Sequence, residues 1–265
     1  LQNRFNAMKE NVSNLAHETV FEVRNVTSRD RKKVRDISFS VCRGEILGFA
    51  GLVGSGRTEL MNCLFGVDKR AGGEIRLNGK DISPRSPLDA VKKGMAYITE
   101  SRRDNGFFPN FSIAQNMAIS RSLKDGGYKG AMGLFHEVDE QRTAENQREL
   151  LALKCHSVNQ NITELSGGNQ QKVLISKWLC CCPEVIIFDE PTRGIDVGAK
   201  AEIYKVMRQL ADDGKVILMV SSELPEIITV CDRIAVFCEG RLTQILTNRD
   251  DMSEEEIMAW ALPQE

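Results

Sequence analysis

The sequence predicts an α/β fold built on a mostly parallel sheet, and three observations carry this prediction. Two short runs, at 46–50 and 185–188, are almost wholly apolar, as strands covered on both faces of a sheet must be. The first run breaks into a glycine-rich turn followed by helix-forming residues. From 185 to 246, strand patterns alternate with amphipathic helical patterns, which is the order of parallel βαβ units.

The glycine-rich turn has the spacing of a phosphate-binding loop. Gly51, Gly54, Ser55 and Gly56 form the turn of the pattern G-x-x-x-x-G-[K]-[ST]. Glycines let the backbone bend tightly and bring N–H groups against phosphate oxygens, at the positive end of the following helix. The spacing favours a P-loop, and a Rossmann dinucleotide turn is the alternative.

The two residues that end this loop determine its chemistry. Arg57 stands where the pattern has lysine, so the positive charge is kept while a compact ammonium becomes a planar fork. Thr58 follows, and its hydroxyl can be offered to a magnesium ion.

Two acids follow the second apolar run. Asp189 and Glu190 are placed to hold magnesium through one carboxylate and to activate a water with the other. We expect Asp189 at the end of a strand that neighbours the P-loop strand. An acidic pair at a strand end can also be a helix cap or part of a solvated loop. Together with an upstream P-loop, however, the pair completes a set for phosphoryl transfer: phosphate cradle, cation ligand and general base.

A serine and two glycines form a second candidate anion site. Ser166, Gly167 and Gly168 stand at a helix start, where a capping hydroxyl and outward N–H groups are expected. One nucleotide does not need two phosphate sites in one domain. Two chains packed head to tail do, because each P-loop is then closed by the other's serine–glycine loop. The alternative is an ordinary N-capped helix.

Composition limits the class of protein. Lys+Arg 35 against Asp+Glu 37 gives a net charge of -2, so no strong field favours nucleic acid or an anionic membrane. No apolar run is long enough to span a bilayer, and the polar opening has no signal-peptide core, which indicates a cytoplasmic address. The 8 cysteines, most of them in apolar segments, and the scattered histidines predict buried thiols without a soft-ligand metal site.

Before the P-loop, the chain predicts a linker and a small sheet. Residues 1–19 are polar and begin without methionine, which indicates a linker from a preceding domain. Strand patterns at 20–26 and 37–42 predict a small antiparallel sheet. They are joined by the basic turn 28–36, interpreted as a solvated tip that lies where an adenine could be held but that has no aromatic ring to stack on it.

After the P-loop helix, Asn78-Gly79 and Glu239-Gly240 predict tight turns. The remaining strand patterns cover 74–77, 95–98, 216–220 and 234–238, with one more after the second turn. The helical patterns cover 86–93, 112–153 with a glycine-rich loop inside it, the segment after 171, 199–212, and segments from 223 and 253.

The order of these motifs resembles that of ATP-binding-cassette (ABC) nucleotide-binding domains. The P-loop, LSGGNQQ at 165–171 and VIIFDEPTRGID at 185–196 occur in the family's order, and the likeness covers about 20–246. The sequence looks most like the second cassette of ATPase subunits that drive bacterial uptake of ribose, galactose, arabinose, xylose or allose. The resemblance implies a P-loop NTPase with a RecA-like core over 20–265, an antiparallel β subdomain and a helical subdomain at about 112–167.

The resemblance also implies roles, cofactors and partners. It makes 51–58 the Walker A loop, Asp189 the Walker B acid, Glu190 the catalytic glutamate and Asp196 the D-loop acid. The implied cofactors are ATP and Mg²⁺. The implied partners are a second cassette, expected as the preceding half of the same polypeptide, a transmembrane sugar permease and, indirectly, a periplasmic sugar-binding protein. The chain would lie at the cytoplasmic face of the inner membrane.

Three positions depart from the general cassette pattern. Arg57 replaces the phosphate lysine, Glu100 stands where a glutamine usually bridges magnesium and the permease contact, and Ser222 takes the place of the switch histidine. Glu100 adds negative charge beside the phosphates, and Ser222 lacks the imidazole that steadies the transition state. We still assign Glu100 to the magnesium site and, with Ser222 and Glu190, to catalysis.

Two functional hypotheses follow. The first is an enzyme half that couples ATP hydrolysis to import of a monosaccharide, an allose-like hexose on general likeness. The second is a degenerate nucleotide-binding module with slow or no turnover and a regulatory or assembly role. A cassette of translation or DNA repair, or a signalling GTPase, fits less well because the charge is near neutral and no basic arm is present.

Overall fold

A computed structural model describes residues 18–101, 106–124 and 137–263. The expected linker at 1–19 and the glycines that interrupt the helical region at 126–133 lie outside these ranges, apart from residues 18 and 19. In the described part of the chain, no helix is both long enough and apolar enough to cross a membrane.

The described residues form two sheets and several helices. The strands are β1 (Thr19–Ser28), β2 (Ile37–Cys42), β3 (Ile46–Gly51), β4 (Arg70–Leu77), β5 (Lys80–Asp81), β6 (Met95–Ile98), β7 (Val185–Asp189), β8 (Val216–Val220), β9 (Arg233–Cys238) and β10 (Arg241–Thr247). The helices are α1 (Arg57–Phe65), α2 (Pro87–Lys92), α3 (Ile113–Lys124), α4 (Glu137–Leu150), α5 (Gly167–Leu179), α6 (Val197–Asp212), α7 (Leu224–Val230) and α8 (Glu254–Ala261). The α/β fold predicted from the sequence is confirmed.

The central sheet is parallel except at one edge. Its order is β10-β9-β3-β8-β7-β6, and only the β9–β10 pair is antiparallel. Every residue of β7 and β8 is buried, because helices and the second sheet cover both faces. Their unbroken apolar sequences follow from this two-sided burial.

One expectation about this sheet was wrong. We placed Asp189 on a strand next to the P-loop strand, but β8 lies between β3 and β7. Helix α1 crosses the gap, since it packs on β6 and β7 as well as on β3. Thr58 in the first turn of α1 therefore reaches Asp189 across the end of β8.

The smaller sheet is antiparallel, with order β2-β1-β4-β5. The turn between β4 and β5 has positive φ at both central residues, 50° at Asn78 and 75° at Gly79. This is the type I′ geometry that Asn-Gly favours, since it matches the twist of the two strands. The predicted hairpin is confirmed.

Side chains on the two faces of the central sheet pack into two different hydrophobic cores. One face, with Leu47 and Phe49 of β3, packs on the antiparallel sheet and α1. The other face, with Ile46 and Ala50, packs on α6, α7 and α8. A third cluster joins α3, α4 and α5 and has its own buried residues, including Ile113 and Val173. The bounds of the helical subdomain, 112–167, stay a prediction.

The basic turn 28–36 is solvated at residues 29–33, as the sequence predicted, but its backbone packs against the P-loop. Asp30 organises it by accepting hydrogen bonds from the Ser28 hydroxyl at 2.5 Å and the Lys32 N–H at 3.0 Å. The carbonyls of the turn then lie against the glycines Gly56 and Gly240. Backbone packing, which periodicity does not report, holds the turn against the start of α1.

Phe49 joins the two sheets and supplies a stability prediction. Its ring lies 5.4 Å from that of Phe39 in the antiparallel sheet and 5.9 Å from that of Phe237 in β9, measured between centroids. Phe49→Ala should lower the free energy of unfolding by about 3–5 kcal/mol, because it removes a fully buried ring. Val67→Ala, at a side chain that is 52% exposed, is the control and should change it by under about 0.5 kcal/mol. Urea unfolding measures both; equal effects would contradict the prediction.

Candidate nucleotide site

The P-loop has a backbone that requires glycine at two positions. Gly51 and Gly56 have φ of 149° and 106°. A Cβ at Gly51 would lie 2.5 Å from the Phe237 carbonyl oxygen, and one at Gly56 would lie 2.3 Å from that of Lys33. Gly54 differs, because no heavy atom lies within 4 Å of the Cβ position. The loop is thus packed from below and open above Gly54, as a cradle for an anion must be.

Ser55 adds a polar group to this cradle. Its side chain is 6% exposed, and its hydroxyl has no hydrogen-bond partner among the described residues. Buried polar groups are nearly always paired, so this hydroxyl fits a ligand that brings an oxygen to the loop. The Ser55 carbonyl accepts from the Gly240 N–H at 2.8 Å, which fixes the loop to the β9–β10 turn.

Thr58 and Asp189 form the candidate magnesium site. The Thr58 hydroxyl donates to Asp189 Oδ1 at 3.3 Å, and the Tyr97 hydroxyl lies 2.9 Å from Oδ2. Asp189 is 1% exposed, and burial raises its pKa even though both hydroxyls favour the charged form. A buried carboxylate beside a hydroxyl is a hard-oxygen donor set, which suits Mg²⁺. The residues therefore fit this ion.

Tyr97 was missed by the sequence analysis. It lies in β6, which pairs with β7 in parallel, so it faces the same edge as the acidic pair. Its hydroxyl also lies 3.2 Å from Asn62 Oδ1 in α1. The signal was present, because Tyr97 is the single hydroxyl in an otherwise apolar strand.

Arg57 turns away from the mouth of the loop. Its side chain is 7% exposed, and Nη1 donates to the Ser221 carbonyl at 2.6 Å. Burial lowers its pKa, while Glu190 and then Asp189 favour its charged form. The guanidinium therefore sits beside the two acids at the strand ends and offsets their charge.

Glu190 and Ser222, two of the predicted catalytic residues, are in contact. The Ser222 hydroxyl donates to Glu190 Oε2 at 3.2 Å. Glu190 has φ of 49°, a left-handed conformation that costs a non-glycine residue about 1 kcal/mol or more. Burial raises its pKa, which brings a carboxylate closer to the basicity that a general base needs.

Glu100 lies at the surface beside a guanidinium. Its carboxylate forms an ion pair with Arg193, and both side chains are exposed. In the described part of the chain, no three His, Cys, Asp or Glu side chains are grouped as metal ligands. The role of Glu100 at the magnesium site and in catalysis stays a prediction.

The serine–glycine loop also differs in detail from its prediction. Ser166 is the exposed N-cap of α5, but its hydroxyl makes no capping hydrogen bond and instead accepts from Asn169 Nδ2 at 2.9 Å. Gly168 is buried rather than outward, because its Cβ position lies 2.6 Å from that of Ala199 in α6. Asp196 caps α6 by accepting from the Ala199 N–H at 3.0 Å. This loop is joined to α6, and Ser166 is its outward group.

The fold and this set of residues define a P-loop NTPase. A family model described as ABC transporter matches residues 34–193, well over half of the chain. The chain belongs to the ABC transporter family.

Relatives at high identity are named as sugar import ATP-binding proteins. The chain is 46% identical, over 92% of its length, to the ribose import ATP-binding protein RbsA of Lactococcus lactis subsp. cremoris, of which it covers 48%. It is 43% identical, over 98% of its length, to the galactose/methyl galactoside import ATP-binding protein MglA of Clostridium tetani, of which it covers 50%. The chain spans about half the length of these relatives.

Solved structures share the fold at low identity. A nucleotide-free ATP-binding cassette from an ABC transporter aligns with a TM-score of 0.79 and 20% identity, over 93% of this chain and 100% of that one. The ADP conformation of the cassette MJ1267 aligns with a TM-score of 0.75 and 23% identity, over 91% and 94%. These likenesses concern the fold alone.

The close packing of Gly56 gives a testable prediction. Gly56→Ala should weaken binding of a fluorescent ATP analogue at least about tenfold, a loss of about 1.4 kcal/mol, because the new Cβ forces the loop or the Lys33 carbonyl to move. Gly72→Ala is the matched control, since its Cβ would meet nothing within 4 Å. Unchanged affinity in Gly56→Ala would mean that the nucleotide does not use this loop.

Proposed function

We propose that this chain is the ATP-binding domain of an ABC importer that couples ATP binding and hydrolysis to uptake of a monosaccharide. The observation that carries the proposal is the Thr58–Asp189 contact at 3.3 Å beneath an open P-loop. This contact supports the proposal because a phosphate-bound cation takes hydroxyl and carboxylate oxygens as ligands. Identity above 40% to two importer ATP-binding proteins supports the transport role.

The proposed ligands are ATP and Mg²⁺. Backbone N–H groups of the P-loop and the Ser55 hydroxyl would receive the phosphates, and Thr58 with Asp189 would hold the cation. When bound, Mg²⁺ supplies positive charge that neutralises the phosphate oxygens.

In this proposal the remaining residues orient and activate the attacking water. Glu190 accepts its proton, and the Ser222 hydroxyl holds that carboxylate in place at 3.2 Å. Arg57 supplies positive charge from beneath, although its hydrogen bond to the Ser221 carbonyl keeps it from reaching outward. A buried guanidinium and a serine hydroxyl stabilise the transition state less than a lysine ammonium that extends to the phosphates and a histidine imidazole would. We therefore expect weak binding and slow turnover by this chain alone.

The assembly that we propose is a head-to-tail pair of cassettes. Ser166 is exposed at the start of α5, where the helix dipole favours an anion. A second cassette, the preceding half of the same polypeptide, would supply the P-loop that Ser166 and the Gly167 N–H close. The pair would engage a transmembrane permease at the cytoplasmic face of the cell membrane, and the permease would receive sugar from a periplasmic binding protein.

The first test of this function restores the usual residues. Arg57→Lys combined with Ser222→His should raise the ATP turnover number at least about tenfold, because it returns a flexible ammonium and an imidazole to the site. Steady-state phosphate release measures the turnover, and ADP titration measures the binding. Ser222→Ala is the control and should not raise it. If the double variant binds nucleotide but its turnover number does not rise, these two residues do not limit hydrolysis. That result would favour a purely regulatory module.

The second test addresses the shared site. Gly168→Asp is unsuitable as a test because Gly168 packs on Ala199 within the chain. Ser166→Asp instead places a carboxylate at an exposed cap without changing the fold. It should lower ATP hydrolysis by the complete transporter at least tenfold, a barrier increase of about 1.4 kcal/mol, and leave ADP binding to this chain's own P-loop unchanged. Ser166→Asn is the neutral control of equal size. Equal rates in both variants would argue against a shared site.

A further inference from the structure

A buried carboxylate outside the nucleotide site connects three segments of the chain. Glu226 lies in α7 and is 6% exposed. Its carboxylate accepts from the Thr192 hydroxyl at 2.6 Å, the Ser221 hydroxyl at 2.8 Å and Lys200 Nζ at 2.8 Å. Buried charges are tolerated when they are paired and hydrogen-bonded in this way.

These partners stabilise the ionised form of Glu226. Burial by itself would raise the pKa of Glu226, but hydrogen bonds from Lys200 and the hydroxyls outweigh it and keep the pKa below its ordinary value. Lys200 also contacts Glu223, at 2.7 Å, but that carboxylate is 55% exposed. One lysine therefore makes a buried ion pair and an exposed one, and only the buried pair reaches the other segments.

Two of the segments flank the acidic pair. Thr192 follows Glu190 by two residues, in the loop that leaves β7. Ser221 directly follows β8, and its carbonyl accepts from Arg57 at 2.6 Å. The next residue, Ser222, donates to Glu190. A shift of either segment would therefore move the general base that we propose.

The third segment is the first turn of α6. Lys200 comes directly after Ala199, against which Gly168 packs. Asp196 caps the same turn. The lysine that binds Glu226 thus belongs to the turn that supports the Ser166–Gly168 loop.

We propose that Glu226 is a positioning residue that holds the Thr192 and Ser221 segments to α6, so that this chain's own phosphate site and its serine–glycine loop move as one unit. The inference rests on the proposed function, since it concerns how the two half-sites of one cassette communicate. Glu226 touches neither Glu190 nor the P-loop in the contacts described, and it acts through Thr192, Ser221 and Lys200.

The first measurement needs no nucleotide. Glu226→Gln keeps the shape and removes the charge that pairs with Lys200, and Glu223→Gln removes only the exposed pair. Amide hydrogen exchange of the full chain should be at least threefold faster in Glu226→Gln than in Glu223→Gln in three segments: 166–170, 190–200 and 220–223. Exchange in β1 and β4 should be equal in the two variants. Equal exchange in all segments would overturn the inference, and so would faster exchange throughout the chain, which marks general destabilisation.

The second measurement is kinetic and uses more conservative substitutions at Thr192. Thr192→Val replaces the hydroxyl with a methyl group of nearly equal volume, and Thr192→Ser retains the hydroxyl. Thr192→Val and Glu226→Gln should each lower the turnover number for ATP at least fivefold with less than a twofold change in KM, and Thr192→Ser should keep the wild-type rate. The double variant should be no slower than Glu226→Gln alone, because both changes break one connection.

The outcomes separate the inference from the function on which it rests. Wild-type protein that neither binds nor hydrolyses ATP would refute the proposed function, whereas the exchange experiment would still decide the connection. Active wild type with unchanged turnover in Glu226→Gln and Thr192→Val would refute the role of Glu226 alone. Should Glu226→Gln fail to fold, the comparison of Thr192→Val with Thr192→Ser decides: a slow valine variant with a normal serine variant supports the inference, and equal rates overturn it.

Discussion

The burial of Asp189 is the constraint on which the site depends. A carboxylate with 1% exposure at the end of a fully covered strand loses its hydration, so the surrounding structure must supply donors or charge. The fold does so from three directions: Thr58 from the P-loop helix, Tyr97 from the neighbouring strand, and Arg57 beside both acids. The parallel sheet brings these elements to one edge, because the carboxyl ends of its strands meet there. A cation with phosphate ligands would supply further positive charge beside the Asp189 carboxylate.

Arginine in place of lysine at position 57 changes both how far the side chain extends and which groups it contacts. A guanidinium has several donors in a rigid plane, and here one of them is used by the Ser221 carbonyl. Arg57 thereby joins the P-loop to the turn after β8, where Ser222 holds Glu190. Two of the three positions that depart from the general cassette pattern, Arg57 and Ser222, are adjacent parts of one polar network rather than independent losses. Glu100, with its ion pair to Arg193, stands apart from this network.

Much of the fold could be predicted because its signals are local. The apolar run of β7 and the Asn78-Gly79 turn each follow from a few neighbouring residues. The failures concern relations between distant segments. The position of β8 between β3 and β7, the packing of Gly168 on Ala199, and the contacts of Glu226 join residues that are far apart or on different elements. No periodicity encodes such contacts, so the candidate acids were found while Tyr97 and Glu226 were not.

The basic turn contacts the P-loop through its backbone, and this has a consequence for how the sequence can diverge. The Lys33 carbonyl, not its side chain, lies against Gly56, and the Arg35 N–H donates to the Gly240 carbonyl at 2.8 Å. Two side chains of the turn also matter, because Asp30 organises it and the Lys33 ammonium lies 3.3 Å from the Glu59 carboxylate in α1. Among the residues that the structure describes, the other exposed side chains of the turn make no such contact with the loop. Substitution at those other exposed positions should therefore leave the phosphate cradle unchanged. The fold thus separates two constraints, one on the backbone of the glycine loop and one on the side chains of the neighbouring turn.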